Sequence, residues 1–411
     1  MRIAHIHWGF PPIIGGVETH LTFMLPEQVK MGHKVFLLTG SAEGSPEHFD
    51  FHGAKIYRSK FFDLNWLFKS SFQEVNDEID ITIEEFLDKT KPDVVHAHNM
   101  HYFSRYHTRV LENACIKRKI PMVLTAHNIW ADKLFLDLTC KVNWDKIISI
   151  SYYIERELLA VGVPKEKITT IHHGIDYHLF SPKKTSDKIL DEHPILKGKK
   201  QIIFHPARMG LAKGCDIVIE AFSLVKEKFP DAFLILSGSK NIIDWGSSQN
   251  KDIAFLTSLI RQLGLQDSIY INCFPIEKMP DVYSIADVVV YPSSVEEPFG
   301  LVTLESMAME KPIVVTDSGG LPEIIRNDIN GYVVHQRDHK ALAERIIQLL
   351  SSRELRDKLG KTGRNLVKSK YTKAIYAQHV CDVYKEAIKD YSSKEREVVN
   401  KKEVIVSFKK M

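Results

Sequence analysis

No run of eighteen apolar residues occurs anywhere in this 411-residue chain, so no segment is expected to cross a bilayer as a helix. Cysteine is sparse. Cys115, Cys140, Cys215, Cys273 and Cys381 are scattered, odd in number and never spaced Cys-x-x-Cys. That pattern excludes a disulfide framework and a cysteine-based zinc site, and it fits a reducing, cytoplasmic setting. Surplus charge is scarce too. The net charge is +3, and Tyr391–Met411, with six Lys/Arg against three Glu, carries all of that surplus. The remaining body is near neutral, so nucleic acid is not an expected partner. Asp-x-Asp and Gly-x-Gly-x-x-Gly are both missing. The first absence argues against a metal-held diphosphate and the second against a dinucleotide fingerprint. Met-Arg-Ile-Ala-His-Ile-His at the start is too short and too polar for a secretion signal and reads as a strand.

What the chain does have is alternation. Short apolar or β-branched runs suit strands at Arg2–His7, Lys34–Thr39, Asp93–Ala97, Met122–Ala126, Lys146–Ser149 and Ile168–Ile171. A second series covers Gln201–His205, Ala232–Ser237, Ile269–Asn272, Val288–Tyr291 and Pro312–Thr316. Helical patterns separate them. The first, Val17–Met31, places Leu21, Leu25 and Val29 on one face, stops at Gly32, and is expected to kink at Pro26. Such alternation predicts α/β architecture with right-handed crossovers and parallel sheets. The length suggests two domains. The polar stretch Phe180–Lys200 marks the join, giving a domain over 1–180 and another over 181–370. Each is expected to be a doubly wound, Rossmann-like sheet, with ligands at the strand ends and the active site in the cleft between the two.

The densest chemistry lies in Glu297-Pro-Phe-Gly-Leu-Val-Thr-Leu-Glu305. On one regular helix the two acids would stand about 80° apart around the axis. A better reading puts Glu297 in the loop before a helix and Glu305 on its first turns, with Phe299, Gly300 and Leu301 making the entry. Backbone N–H groups at the helix start and two carboxylates then share one pocket. A sugar on a nucleoside diphosphate needs that combination: an anion to cradle and hydroxyls to orient. Arg208 and Lys213, on a glycine-flanked loop after a predicted strand, suit a diphosphate as fork and point charge. Gly15 and Gly16 open the first helix, where amides can approach a phosphate. His127 ends the strand Met122–Ala126 and suits a hydrogen bond to a hydroxyl or to a developing charge. His96, His98 and His101 raise the question of a metal, but no Asp, Glu or Cys completes a ligand set, so no metal is expected. Ser318-Gly-Gly320 is either a turn or a close backbone approach, and His173-Gly-Ile-Asp176 either a hinge or a cleft wall. Lys55–Phe72 interleaves aromatics with cations. It reads first as a loop and helix packed on its domain, and second as a contact for a membrane surface or an aromatic acceptor.

In order and spacing these residues resemble the family 4 retaining glycosyltransferases of GT-B fold. The resemblance runs from Met1 to about residue 385 and rests on Gly15-Gly16, Gly32-His33, Asp93-Val-Val-His-Ala-His98, His127, Gly174-Ile-Asp176, Arg208 with Lys213, and the Glu297/Glu305 pair of an E-x7-E signature. Two positions depart from the family's habit: Pro298 stands where glycine is commoner, and Glu310 where glycine usually precedes Lys-Pro.

The resemblance implies transfer of a sugar, with retention, from a UDP- or GDP-sugar donor to an acceptor hydroxyl. It implies no metal and no cofactor, the nucleotide sugar being a substrate. Arg208, Lys213, Gly15 and Gly16 would hold the diphosphate. His127 and Glu297 would serve catalysis at the sugar, and Phe299, Gly300, Leu301 and Glu305 would line the sugar and ribose. Cys273, Phe274 and Ile276 would flank the base. A helix within 371–390 would cross back to the first domain, followed by a charged tail over 391–411. Rival readings are a nucleotide-sugar epimerase or phosphorylase of the same fold, or a silent sugar-nucleotide-binding protein. The expected setting is cytoplasmic, with peripheral contact at the inner membrane face as the alternative.

Overall fold

The computed structural model describes residues 1–69, 75–129, 133–182, 187–238 and 248–408. The chain forms two compact α/β units. The first comprises Met1–His172 and Tyr376–Met411, the second His173–Ile375. The residue-180 boundary expected from the polar stretch therefore falls inside the second unit, where Phe180 is fully buried. Its ring packs edge-on against Tyr283, 6.1 Å between centroids, and such burial holds a segment to its unit more firmly than polar composition can free it.

In the first unit β1 (Arg2–Ile6), β2 (Lys34–Gly40), β3 (His48–Phe51), β4 (Ala54–Ser59), β5 (Val94–His98), β6 (Met122–Ala126), β7 (Lys146–Ser149) and β8 (Ile168–Thr170) form one sheet. Its order is β3-β4-β2-β1-β5-β6-β7-β8. All neighbours run parallel except the β3–β4 pair. Central strands such as Met122–Ala126 are buried throughout, as parallel strands covered on both faces must be. The first helix spans Gly16–Lys30, and the expected kink at Pro26 does not interrupt it. It closes as expected at Gly32, whose φ is +83°. There Gly32 N–H donates to Val29 O (2.9 Å) and His33 N–H to Gln28 O (3.2 Å), the paired bonds of a glycine-terminated helix.

The last helix, Lys373–Phe408, enters from the second unit and completes the first. Tyr376, Ala377, Val380, Cys381, Tyr384 and Ala387 pack into the same core as Ile3, Leu21, Val35 and Val123.

In the second unit β9 (Ile202–His205), β10 (Phe233–Gly238), β11 (Ile269–Cys273), β12 (Val288–Tyr291), β13 (Ile313–Thr316) and β14 (Gly331–Val334) form a sheet in the order β11-β10-β9-β12-β13-β14. Every pairing is parallel. Both sheets reverse their winding once, between β1 and β5 and between β9 and β12. Those are the switch points outside which open α/β sheets bind ligands.

Three strands lie beyond the sequence reading: β3, β4 and β14. Lys55–Phe72, read as a loop and helix, instead begins in β4, passes a single turn at Lys60–Phe62, and becomes a helix at Leu64–Lys69. Phe62 and Leu67 are buried in it while Phe68 is exposed. Residues 70–72 of that stretch lie outside the described residues.

Candidate active site

The second unit gathers its charges at the β9/β12 switch point. Arg208 and Lys213 follow β9, and Glu297 follows β12. The Arg208–Gly214 loop is pinned in place by backbone. Gly214 has φ +71°, and a Cβ there would lie 1.8 Å from Pro292 O. Ser294 N–H donates to Ala212 O at 3.1 Å, tying this loop to the one after β12. The Ser318–Gly320 turn braces Glu297 from the other side. Glu297 N–H donates to Ser318 Oγ (2.9 Å), and Gly320 N–H donates to Glu297 O (2.8 Å). Gly319, at φ +52°, would place a Cβ 2.2 Å from that same carbonyl. Its glycine serves a close backbone approach, one of the two readings the sequence left open.

These loops deliver a compact polar cluster. Lys213 Nζ lies 2.6 Å from Glu297 Oε2 and donates to Tyr291 Oη at 3.0 Å. The Tyr291 hydroxyl donates to the same Oε2 at 2.6 Å. Burial pushes the Glu297 carboxyl up, but Lys213 and Tyr291, with a contribution from exposed Arg208, hold it below the usual carboxylate range. Burial likewise opposes the lysine's charge, and Glu297 and Tyr291 more than restore it. The cluster is therefore an ion pair with a phenol, not two separate charges awaiting a ligand.

Glu305 sits on the helix Leu301–Ala308, entered through Gly300 at φ +78°. The positive φ favours glycine there, and a Cβ would lie 2.5 Å from Leu321 Cδ2 and displace that side chain. Glu297 lies in the loop before the helix and Glu305 within it, the arrangement read from the sequence. Their environments differ sharply. Among the described residues Glu305 Oε2 accepts only from a phenol, Tyr283 Oη at 2.7 Å, and burial raises its pKa to about 7. Phe299 is buried, its ring edge-on to His173 at 5.1 Å, and Leu301 is partly exposed at the helix start. Cys273 ends β11, two strands from β9, and its Sγ lies 2.8 Å from where a Gly238 Cβ would stand. Phe274 is buried and Ile276 half-buried just beyond it.

The first unit concentrates histidines at its own switch point. His127 is buried at the end of β6. Its N–H donates to Asn99 Oδ1 (2.8 Å), and its Nε2 meets His98 Nδ1 at 3.0 Å. Asn99, at φ +53°, takes the left-handed conformation that asparagine tolerates, and from there it holds the His127 loop. Gly15 has a local reason as well: its Cβ would fall 2.2 Å from Glu18 Oε2, the carboxylate that pairs with His7 at 3.0 Å. Gly16 is exposed with open space beside it.

The three histidines singled out in the sequence separate. His101 turns to Asn128 O, 3.1 Å away, while His5 joins His96 and His98 in a buried group whose ring nitrogens lie within 4.8 Å of one another. Sequence reasoning missed Tyr291, Tyr283, Asn99 and His5. None of them gave a signal: Tyr291 reads in the sequence as the end of an apolar strand.

No helix among the described residues is long and apolar enough to cross a membrane. Residues 14–179 match the Glycosyltransferase Family 4 model, and residues 186–366 match Glycosyl transferases group 1. An uncharacterized glycosyltransferase of Methanocaldococcus jannaschii is 26% identical over 94% of this chain and 99% of its own. A crystal structure of a Rickettsia africae glycosyltransferase superposes with a TM-score of 0.78 at 22% identity, over 94% of this chain and 99% of that one. Anabaena HepE, solved in complex with UDP-glucose, does so with 0.74 at 18% identity, over 93% and 99%. Two parallel-sheet units, each matched by its own glycosyltransferase model and both carrying polar clusters at their switch points, place the chain among the group 1 glycosyltransferases of GT-B fold.

Proposed function

We propose that the protein moves a sugar from a nucleoside-diphosphate donor to an acceptor hydroxyl, with retention at the anomeric carbon and without a metal. The observation that carries this reading is the Lys213–Glu297–Tyr291 cluster. A diphosphate arriving beside Arg208 competes with Glu297 for Lys213. Once displaced, the carboxylate becomes an acceptor for the sugar's hydroxyls, so one exchange of partners readies both halves of the donor site. Glu305 and Tyr283 serve the ribose, and Cys273–Ile276 the base. Acceptor attack occurs on the face the nucleotide leaves. The anomeric C–O bond to phosphate breaks, the bond to the acceptor oxygen forms, and the leaving phosphate takes the acceptor's proton. Arg208, Lys213 and the helix start after Gly300 stabilise the phosphate charge. A uridine nucleotide is the first donor to test, because HepE was solved with UDP-glucose.

The test has two stages. Thermal shifts with UDP, GDP, ADP and their sugars identify the nucleotide. A ligand at a hundred times its dissociation constant stabilises by about 2.7 kcal/mol. Transfer is then followed by NMR of the product's anomeric proton, with and without excess EDTA. Retention and unimpaired turnover in EDTA are expected. Inversion, or activity lost to EDTA and restored by Mn²⁺ or Mg²⁺, would overturn the mechanism.

A further inference from the structure

Beneath His127 the first unit carries an unbroken line of buried polar groups. His127 Nε2 meets His98 Nδ1 (3.0 Å), and His98 Nε2 meets His5 Nδ1 (3.1 Å). His5 Nε2 reaches Gln28 Oε1 at 2.8 Å. Gln28 Nε2 donates to Tyr384 Oη (3.3 Å), which bonds His96 Nδ1, and His96 Nε2 ends on Thr125 Oγ1 at 2.6 Å. The fold explains the line. His5 and His96 are register partners on β1 and β5, His98 lies two residues on, and helix residues Gln28 and Tyr384 cover the same sheet face. His5, His96 and His98 are fully buried. Burial lowers all three, His5 to about 4, so each ring is neutral near pH 7 and offers one donor and one acceptor.

A chain of neutral imidazoles has no freedom of its own: whatever fixes one end fixes every proton along it. Here the amide oxygen of Gln28 can only accept. His5 must therefore hold its proton on Nε2 and accept at Nδ1, and His98 must donate from Nε2 and accept at Nδ1. His127 must then carry its proton on Nε2. We infer that His5, His98 and Gln28 are positioning residues that lock a proton on Nε2 of His127, directed at His98. On the reading that His127 serves catalysis at the sugar, this lock keeps its ring in one orientation. The inference rests on that reading for its consequence, not for the proton order itself.

Long-range ¹H–¹⁵N spectra of the full chain with ¹⁵N-labelled histidine read the tautomer directly, with His127→Gln identifying the His127 signals. The expected wild-type result is a protonated Nε2. Gln28→Leu removes the acceptor that sets the order. It should give His127 a mixture of tautomers and lower kcat for transfer by about ten- to hundredfold, while UDP affinity stays unchanged. A merely structural Gln28 would not move the tautomer. Three results overturn the inference: a wild-type His127 unprotonated on Nε2, a tautomer indifferent to Gln28→Leu, or one zinc per chain held by His5, His96 and His98. If Gln28→Leu does not fold, the wild-type spectrum decides alone. Absence of transfer from any nucleotide sugar would sink the proposed function and leave the proton order read from the spectrum intact.

Discussion

Two glutamates eight positions apart are given opposite ionisation by their neighbours. Glu297 has a lysine 2.6 Å away that favours its ionised form, whereas Glu305 is bonded to a phenol and burial raises its pKa to about 7. For Glu305 the folded value lies above the ordinary carboxyl value of 4.5. The folded state then binds more protons than the unfolded one between these values, and stability must fall as pH rises through that window. The full effect is on the order of 3 kcal/mol. Glu305→Gln, which cannot ionise, should unfold at nearly the wild-type denaturant concentration near pH 4.5 and at a clearly higher one by about pH 8. Denaturant midpoints across this range provide the check, and a gap that does not change with pH would show that Glu305 does not titrate there.

At the scale of elements, loops are the precise parts and strands the generic ones. Gly319→Ala must force a left-handed alanine, about 1–2 kcal/mol, and push a methyl into the Glu297 carbonyl, a further 1–3 kcal/mol or so. Gly162 also has positive φ but open space beside it, so Gly162→Ala should show the strain alone. Melting curves and UDP affinity for both variants are the measurement. Equal losses would mean that the Ser318–Gly320 brace does not hold Glu297.

This division also explains what could be read from the sequence. Val288–Tyr291 and Met122–Ala126 were legible to the residue, because strands covered on both faces are continuous apolar runs. His48–Phe51 is a short, half-polar edge strand with no such run. Ala54–Ser59 was hidden by Arg58, which is buried although charged and donates to Gly40 O at 2.9 Å. Arg208, Lys213 and the two glutamates stood out as charges at strand ends. Their partners Tyr291 and Tyr283 did not, since a tyrosine in an apolar context looks like core until its hydroxyl is placed. The histidine line was out of reach altogether, because its middle link joins Gln28 to Tyr384 across nearly the whole chain.

At the scale of the molecule, the first unit is discontinuous. Its last packed layer comes from Tyr376–Ala387, reached only after the chain has traversed the second unit. Tyr384 is fully buried and bonded to both Gln28 and His96. Tyr384→Ala should therefore destabilise by about 3–5 kcal/mol, as loss of a buried aromatic does. Hydrogen exchange should locate the damage in β1 and β5 and spare β9 and β12. Loss spread evenly over both units would contradict that assignment.

The same discontinuity sets an order of events in time. A chain emerging from the ribosome completes β1 to β8 long before residue 376 exists. At synthesis rates of about 5–20 residues per second, the covering helix follows roughly 10–40 s later. During that interval the apolar face of Ile3, Val35 and Val123 lacks its lid, whereas the second unit, continuous in sequence, can close as soon as it is made. The nascent first unit is thus the stage at which this protein is most open to chaperone capture or to pairing with a neighbouring copy.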